Sequence, residues 1–382
     1  MTTIKNSCVA FILVLTAVLI TACFPLNSKP HPEGFGLKAD SPFVLVSVSG
    51  LTQVSQLTGA TSDNKTDQYD VFGTDLGSMI NFKDRTYFVF GDTFGYRSES
   101  QTGAGGSDWR SNVIGVSTDT DPADGITLDR MITDYGSHAK EVIPSEKINF
   151  SEMTTIPTHG VAAGDNLYLY YMSVNYWGMP GEWYANYSGV SKSTDEGETW
   201  EIIEGLRWPG DSNFIQVSPY TVKINEEMSE IYFWGIPAGR FGGVQLMKVN
   251  EAEIEVLEAY RYYAGLDGDG EPIWSASLDD AAMVLEDILG VGELSVIWNP
   301  YLERWIMTYL SGPDIVIREG ISPWGPWGEA IMLVDHTEYP SLYSPYLNPK
   351  FMEDDGRTIY FTMSLWGPYN VFWMKATLNK AL

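Results

Sequence analysis

The sequence predicts an all-β protein, a five-bladed β-propeller, and three observations carry that prediction. One hairpin pattern, an apolar strand, a polar turn and an aromatic-rich strand ending in Gly or Ser, recurs five times at intervals of roughly 60–75 residues. Aromatic residues make up 13% of the chain and glycine fills 37 positions, which suits short strands joined by tight turns. No long stretch repeats its apolar residues at helical spacing. Glu251–Ala264 is the best helix candidate, and the run Tyr260-Arg261-Tyr262-Tyr263 within it argues against a helix.

Residues 1–22 read as a lipoprotein signal peptide. Lys5 gives a basic start, and Val9–Ile20 is an apolar run broken only by Thr16, too short to span a bilayer. Ile20-Thr21-Ala22-Cys23 resembles the bacterial lipobox, in which the cysteine is diacylated and becomes the mature N-terminus. Cys23 is therefore the expected lipidation site. Residues 23–41 form the lipidated cysteine and a flexible tether, and residues 42–382 form the propeller. The expectation is an exported bacterial lipoprotein held to the cell membrane or outer membrane by its acyl chains. Cys8 leaves with the signal, so the mature chain has no disulfide, and thiol catalysis, cysteine-bound zinc and iron–sulfur chemistry are excluded. The formal charge is −27, and loss of Lys5 takes it to −28. So acidic a surface argues against nucleic acid and anionic lipid as partners. A monomer without a cofactor is expected.

The first hairpin is the most informative. Ser78–Phe82 and Thr86–Phe90 have the alternating β-branched and aromatic character of strands, with Lys83-Asp84 at the turn. Facing positions then sum to 167, as Phe82 and Arg85 do, and so do Asp75 and Asp92. The pair should face each other across the ladder with Cβ atoms about 4.5–5.5 Å apart. Carboxyls that close repel, one pKa rises, and the arrangement suits acid–base work on a glycosidic bond. Two turn aspartates at strand ends would leave the same spacing.

The other four hairpins are Gly160–Ser173, Tyr220–Gly235, Leu294–Ser311 and Tyr346–Ser364. Third strands repeat as well, since Arg110–Ser117 aligns with Tyr184–Ser191 and matches Asn112 to Asn186. After the second comes Ser193-Thr-Asp-Glu-Gly-Glu-Thr-Trp200, an Asp-box resembling those of sialidase-type propellers; Asp195 should satisfy turn amides and Trp200 should pack between strands. Thr118–Leu128 and Ser322–Trp327 read as degenerate relatives. In a propeller, inner strands start and second strands end on one face near the axis. That geometry gathers Asp75 and Asp92 with His159, Glu293 and Ser344, and with Ser173, Trp177, Arg240, Trp366 and Tyr369. Third-strand starts add Arg110, Asn112 and Asn186. Acids, arginines, amides and aromatic faces are what a sugar site needs. Asp84, Asp165, Glu226 and Asp355 fall in turns on the opposite, solvated face. Asp119-x-Asp121-x-x-Asp124 and Asp267-x-Asp269-x-Glu271 hint at structural calcium, but neither has full calcium-loop spacing, and acidic turns are the simpler expectation.

Residues from about 42 to the end resemble the domain-of-unknown-function family 4185 (DUF4185). The resemblance is carried by Gly73-Thr-Asp-Leu-Gly77, Phe90-Gly-Asp-Thr93, Trp109-Arg-Ser-Asn112, Asn186-Tyr-Ser-Gly189, Gly292-Glu-Leu-Ser-Val296, Trp298-Asn-Pro300 and Ser364-Leu-Trp-Gly-Pro-Tyr-Asn370. It implies kinship with glycoside hydrolase family 183, five-bladed propellers that act as retaining endo-D-arabinanases, whose paired aspartates match Asp75 and Asp92. Asp75, closer to the axis, is the expected nucleophile and Asp92 the acid/base, and of the residues gathered at the mouth Arg110, Asn112, His159, Asn186, Arg240, Glu293, Trp366 and Tyr369 are expected to hold substrate. A surface-anchored glycoside hydrolase acting on an arabinofuranose polymer is thus the expected function. A non-catalytic glycan-binding lipoprotein of the cell envelope is the rival.

Overall fold

In the computed structural model, residues 43–98 and 100–381 are described. Strand β1 (Leu45–Gln56) opens the chain and joins the last blade. Blade I contains β2 (Gly73–Phe82), β3 (Arg85–Phe94), β4 (Val113–Ser117) and β5 (Arg130–Met131). Blade II contains β6 (Thr154–Ala163), β7 (Asn166–Trp177), β8 (Trp183–Ser193) and β9 (Glu201–Pro209). Blade III contains β10 (Gln216–Lys223), β11 (Ser229–Ile236), β12 (Val244–Asn250), β13 (Arg261–Leu266) and β14 (Pro272–Ser275), with β15 (Met283–Leu285) paired to β12. Blade IV contains β16 (Leu294–Asn299), β17 (Arg304–Ser311), β18 (Asp314–Gly320) and β19 (Ile331–Val334). Blade V contains β20 (Leu342–Glu353), β21 (Thr358–Leu365) and β22 (Asn370–Lys380), and β1 pairs with β22 as its outer strand. The inner strands β2, β6, β10, β16 and β20 each touch the next, and β20 touches β2, so the ring closes.

The five recurrent hairpins are the five inner strand pairs, and Lys83-Asp84 is the first turn as the spacing predicts. Their apolar runs are explained by the packing. Alternate residues of β3 go to opposite faces: Phe88 and Phe90 pack toward blade V, Tyr87 and Val89 toward blade II. Each blade is therefore apolar on both sides, and five hydrophobic clusters fill the spaces between neighbours. The Asp-box forms the β8–β9 turn. Asp195 accepts from the Thr199 amide (2.9 Å) and hydroxyl (2.6 Å), and Trp200 donates to the Gly197 carbonyl (2.9 Å) while packing on the cluster between blades I and II.

Two expectations need correction. Glu251–Ala264 is two 3₁₀ turns, Glu251–Glu253 and Leu257–Ala259, followed by β13, because Tyr260 and Tyr262 fill the core between blades II and III and Tyr263 the core between blades III and IV instead of one helix face. Inner strands also begin earlier than the apolar runs suggest: β6 at Thr154, β10 at Gln216 and β20 at Leu342. Threonine, glutamine and serine at these starts face the axial mouth, and their polarity hides them from a hydrophobic pattern. The signal, Cys23 and the tether lie outside the described residues.

Candidate active site

The β2–β3 hairpin positions both aspartates through a pair of compensating irregularities. Pairs from Phe82–Arg85 to Ser78–Val89 keep the expected register, Leu76 then faces Phe90, and Thr74 faces Thr93 with the register restored. Leu76 and Gly77 take left-handed backbone angles (φ 66° and 95°), so β2 bulges there, and Gly91-Asp92 supplies the matching extra residue on β3. Asp75 consequently lies opposite Gly91-Asp92. Its carboxyl rests on the Gly91 backbone: a Cβ at Gly91 would come within 2.5 Å of Asp75 Oδ1. Bulges re-aim side chains, and this one lies at the face where inner strands begin and brings the Asp75 carboxyl within reach of the Asp92 charge.

The two carboxyls differ in their surroundings. Asp92 is 6% exposed, and its Oδ1 accepts from Trp109 Nε1 (2.8 Å) and Thr154 Oγ1 (2.6 Å). Burial pushes its pKa up, those two donors and the Lys147 charge pull it back, and it settles at about 6. Asp75 accepts at Oδ2 from the Tyr343 hydroxyl (3.0 Å), while its Oδ1 has no protein partner among the described residues. Burial first, then the neighbouring Asp92 charge, raise its pKa to about 8, against the weaker opposing pull of the Tyr343 and Tyr369 hydroxyls. Both carboxyls are thus raised, Asp75 further than Asp92.

Other blades complete the mouth. Glu293, just before β16, is 5% exposed and pairs with Arg240 from the β11–β12 loop (2.8 Å). Its charge also reaches Asp75. The Arg240 guanidinium lies over the Trp183 ring, 5.4 Å from the centroid. On the blade V side Trp366 is half exposed and stands edge-on to Tyr369 (5.5 Å), a buried ring that also meets Phe94. Four predicted residues, Arg240, Glu293, Trp366 and Tyr369, therefore surround the two aspartates.

The structure moves the remaining predicted residues elsewhere. Arg110 is 3% exposed, pairs with Asp108 (3.2 Å), and donates to the carbonyls of Ala139 and Asp70. It ties loops together. Asn112 is sealed: its amide donates to the carbonyls of Ile143 (2.8 Å) and Thr155 (2.9 Å), and its oxygen accepts from the amides of Val142 and Ile143. No group is left for a sugar. Asn186 donates to the Ser151 carbonyl (2.7 Å) and Ser173 (3.0 Å) on the outer part of blade II. His159 sits within β6 and not ahead of it, edge-on to Tyr346 of blade V (5.8 Å), below the mouth. Burial lowers its pKa to about 4, so it is a neutral ring in the channel. Ser344 is fully buried and Trp177 lies on the rim against Trp183. In the two calcium-like segments, Asp119 accepts from the Asp121 and Thr127 amides and Asp267 from the Asp269 and Glu271 amides, which makes both acidic turns.

Three residues were missing from the expected site: Trp109, Thr154 and Tyr343. Trp109 heads a segment already conspicuous in the sequence, and Tyr343 stands beside Ser344. Thr154 was hidden by the late start assigned to β6.

Comparison with known proteins gives three results. A family model described as Domain of unknown function (DUF4185) matches residues 61–375. No curated protein matches the chain. Among solved structures, a candidate hydrolase from Bacteroides ovatus superposes with a TM-score of 0.54 at 12% identity, over 86% of this chain and 93% of that one. An exo-beta-1,3-galactanase from Phanerochaete chrysosporium, in complex with beta-1,3-galactotriose, superposes with a TM-score of 0.50 at 8% identity, over 85% of this chain and 64% of that one. A family 117 glycoside hydrolase from Zobellia galactanivorans reaches a TM-score of 0.47 at 11% identity, over 87% and 91%. At these identities the likeness is one of fold.

Proposed function

The chain belongs to the DUF4185 family, and we propose from its acid pair that it is a retaining glycoside hydrolase and, from the family resemblance, that it is endo-acting on an arabinofuranose polymer such as D-arabinan. The observation that carries the proposal is the split between two adjacent carboxyls at one mouth, Asp75 held protonated to about pH 8 and Asp92 ionised above about pH 6. Environments that push two acids apart assign an acid and a base. This division is the reverse of the order expected from sequence. The Asp75 O–H donates its proton to the departing glycosidic oxygen. Asp92, held at Oδ1 by Trp109 and Thr154, attacks the anomeric carbon with Oδ2 and forms a glycosyl ester. Asp75, now a carboxylate, takes a proton from water as that water attacks the ester and releases Asp92. Glu293 and Arg240 orient substrate hydroxyls, and Trp366 offers a ring to a sugar face. The fold of the solved neighbours, glycosidases among them, supports a carbohydrate partner. The same proposal includes export and attachment through a lipid on Cys23, on the strength of the lipobox resemblance.

The test is sugar release from a panel of arabinans, read by chromatography, with anomeric configuration followed by proton NMR. Asp75→Asn and Asp92→Asn should each lower turnover by about 10²–10⁴-fold or more. The wild-type rate should be bell-shaped with limbs near pH 6 and pH 8. Wild-type-like turnover in either variant, or inversion at the anomeric carbon, would remove the mechanism.

A further inference from the structure

The acid pair does not account for a second aromatic feature of the same face. Third strands begin and fourth strands end on the face where inner strands begin, so the start of β8, the end of β9 and the end of β11 all meet there. Between blades II and III they border an open cleft of about 480 Å³, walled by Trp183, Tyr184, Pro237 and Phe241 and bordered by Asp211. That volume falls in the range of roughly 300–1,000 Å³ that holds small ligands. Small residues, Ala185, Gly210 and Ala238, complete the lining, and Gly210 packs so closely on β8 that a Cβ there would sit 2.1 Å from the Ala185 carbonyl oxygen.

The walls are unusual for a solvated surface. Tyr184 is 44% exposed and Phe241 is 57% exposed, with their rings 6.4 Å apart. Tyr184 stacks on Tyr176 at 4.5 Å, and Tyr176 meets the exposed Phe150 at 5.0 Å, so four rings form a row. Aromatic faces left in water next to a cavity mark a surface that takes a ligand. Side-chain contacts link the wall of this cleft to the acid site. Trp183 in that wall carries Arg240 on its ring, and Arg240 pairs with Glu293 beside Asp75. At this junction Glu293 Oε2 and Trp183 Nε1, on side chains more than nine-tenths buried, have no protein partner among the described residues.

We propose that this cleft binds an uncharged sugar chain, as a set of subsites leading away from the acid pair, with Tyr184 and Phe241 as stacking platforms. The proposal rests on the glycosidase reading for its direction, but its binding element stands on the cleft alone. An uncharged chain is specified because Asp211 borders the cleft, Arg240 is already neutralised by Glu293, and the protein carries a charge of −27. Rings without cationic side chains recognise the C–H faces of neutral sugars and offer nothing to uronate or sulfate groups.

The experiment compares the full chain with Tyr184→Ala and Phe241→Ala in two assays. The first measures kcat/KM on an arabinan polymer and on a short aryl arabinofuranoside, with circular dichroism melts as a folding check. Each variant should lose about tenfold more on the polymer than on the short glycoside, through KM. An equal loss on both, or no loss, overturns the proposal. The second assay is affinity electrophoresis in gels containing arabinan, xylan, galactan or polygalacturonate. Asp75→Asn should be retarded by at least one of the neutral polymers, and adding Tyr184→Ala should abolish the retardation. Retardation with no sugar release by the wild type would keep the cleft and remove the hydrolase. No retardation by any neutral polymer, or retardation by polygalacturonate alone, would remove the cleft.

Discussion

On the proposed mechanism, Asp75 is the residue at which function and stability pull against each other. Its carboxyl has an ordinary pKa of 3.8 in the open chain and about 8 in the folded protein. The folded state therefore holds the proton more tightly, and the contribution to stability is complete below about pH 3.8 and lost as the pH rises toward 8. Asparagine has nothing to ionise and keeps an oxygen for the Tyr343 hydroxyl. Asp75→Asn should thus melt close to the wild type at pH 4 and several degrees above it at pH 8, read by differential scanning calorimetry. A difference that does not widen with pH would mean that the carboxyl is not held away from water. An inactive variant that is also more stable is the signature of a site strained for its task. The acids themselves were legible in the sequence because a two-residue turn sets which positions face each other. Arg110 and Asn112 misled for the opposite reason: polar residues near a predicted mouth can be tied wholly to backbone, and residue type does not reveal which.

At the scale of the element, the double irregularity in the β2–β3 hairpin is what makes an acid pair from two strand ends. One extra residue on each strand cancels in the register, so the sum rule holds at both ends while the stretch between them slips. Gly91 is the position that permits it. Its φ lies outside the left-handed region, so Gly91→Ala meets no left-handed strain, but the new methyl would meet Asp75 Oδ1 at 2.5 Å and Leu76 at 2.9 Å. We expect kcat to fall by about 10²-fold, as displacement of a catalytic group by an ångström does, with the fold retained by circular dichroism. Unchanged kcat would show that the Asp75 carboxyl can occupy another position without cost. The hairpin was readable from its alternation and its turn. The bulges were not, because glycine beside a strand residue signals a turn as readily as a bulge.

The whole molecule depends on a closure that no single blade contains. β1 supplies the outer strand of blade V, Leu45 and partly buried Val48 and Leu51 cover the core between blades IV and V, and the Leu45 amide donates to the buried Glu319 carboxyl of blade IV (2.9 Å). Deleting residues 45–56 would leave β22 as an open edge with unpaired backbone groups. Such a protein should melt well below the parent and aggregate, as judged by thermal unfolding and gel filtration. Parent-like melting would mean that four blades and three strands close the ring unaided.

Strand period, turn chemistry, the Asp-box and five echoes of one hairpin are local properties, set by side chains a few residues apart, and they sufficed for the blade count and for bringing Asp75 and Asp92 to one end of one hairpin; the directly facing pair expected there is replaced by a bulge that sets Asp75 against Gly91-Asp92. Which atoms share the mouth is a matter of long-range packing. Trp109, Thr154 and Tyr343 reach the acids from three different blades, and Arg240 meets Glu293 across a blade boundary. Burial raises both aspartates, the Trp109 and Thr154 hydrogen bonds and the Lys147 charge hold Asp92 lower, and the Asp92 charge pushes Asp75 higher, so the split on which the proposed roles rest arises only once the ring has closed around them.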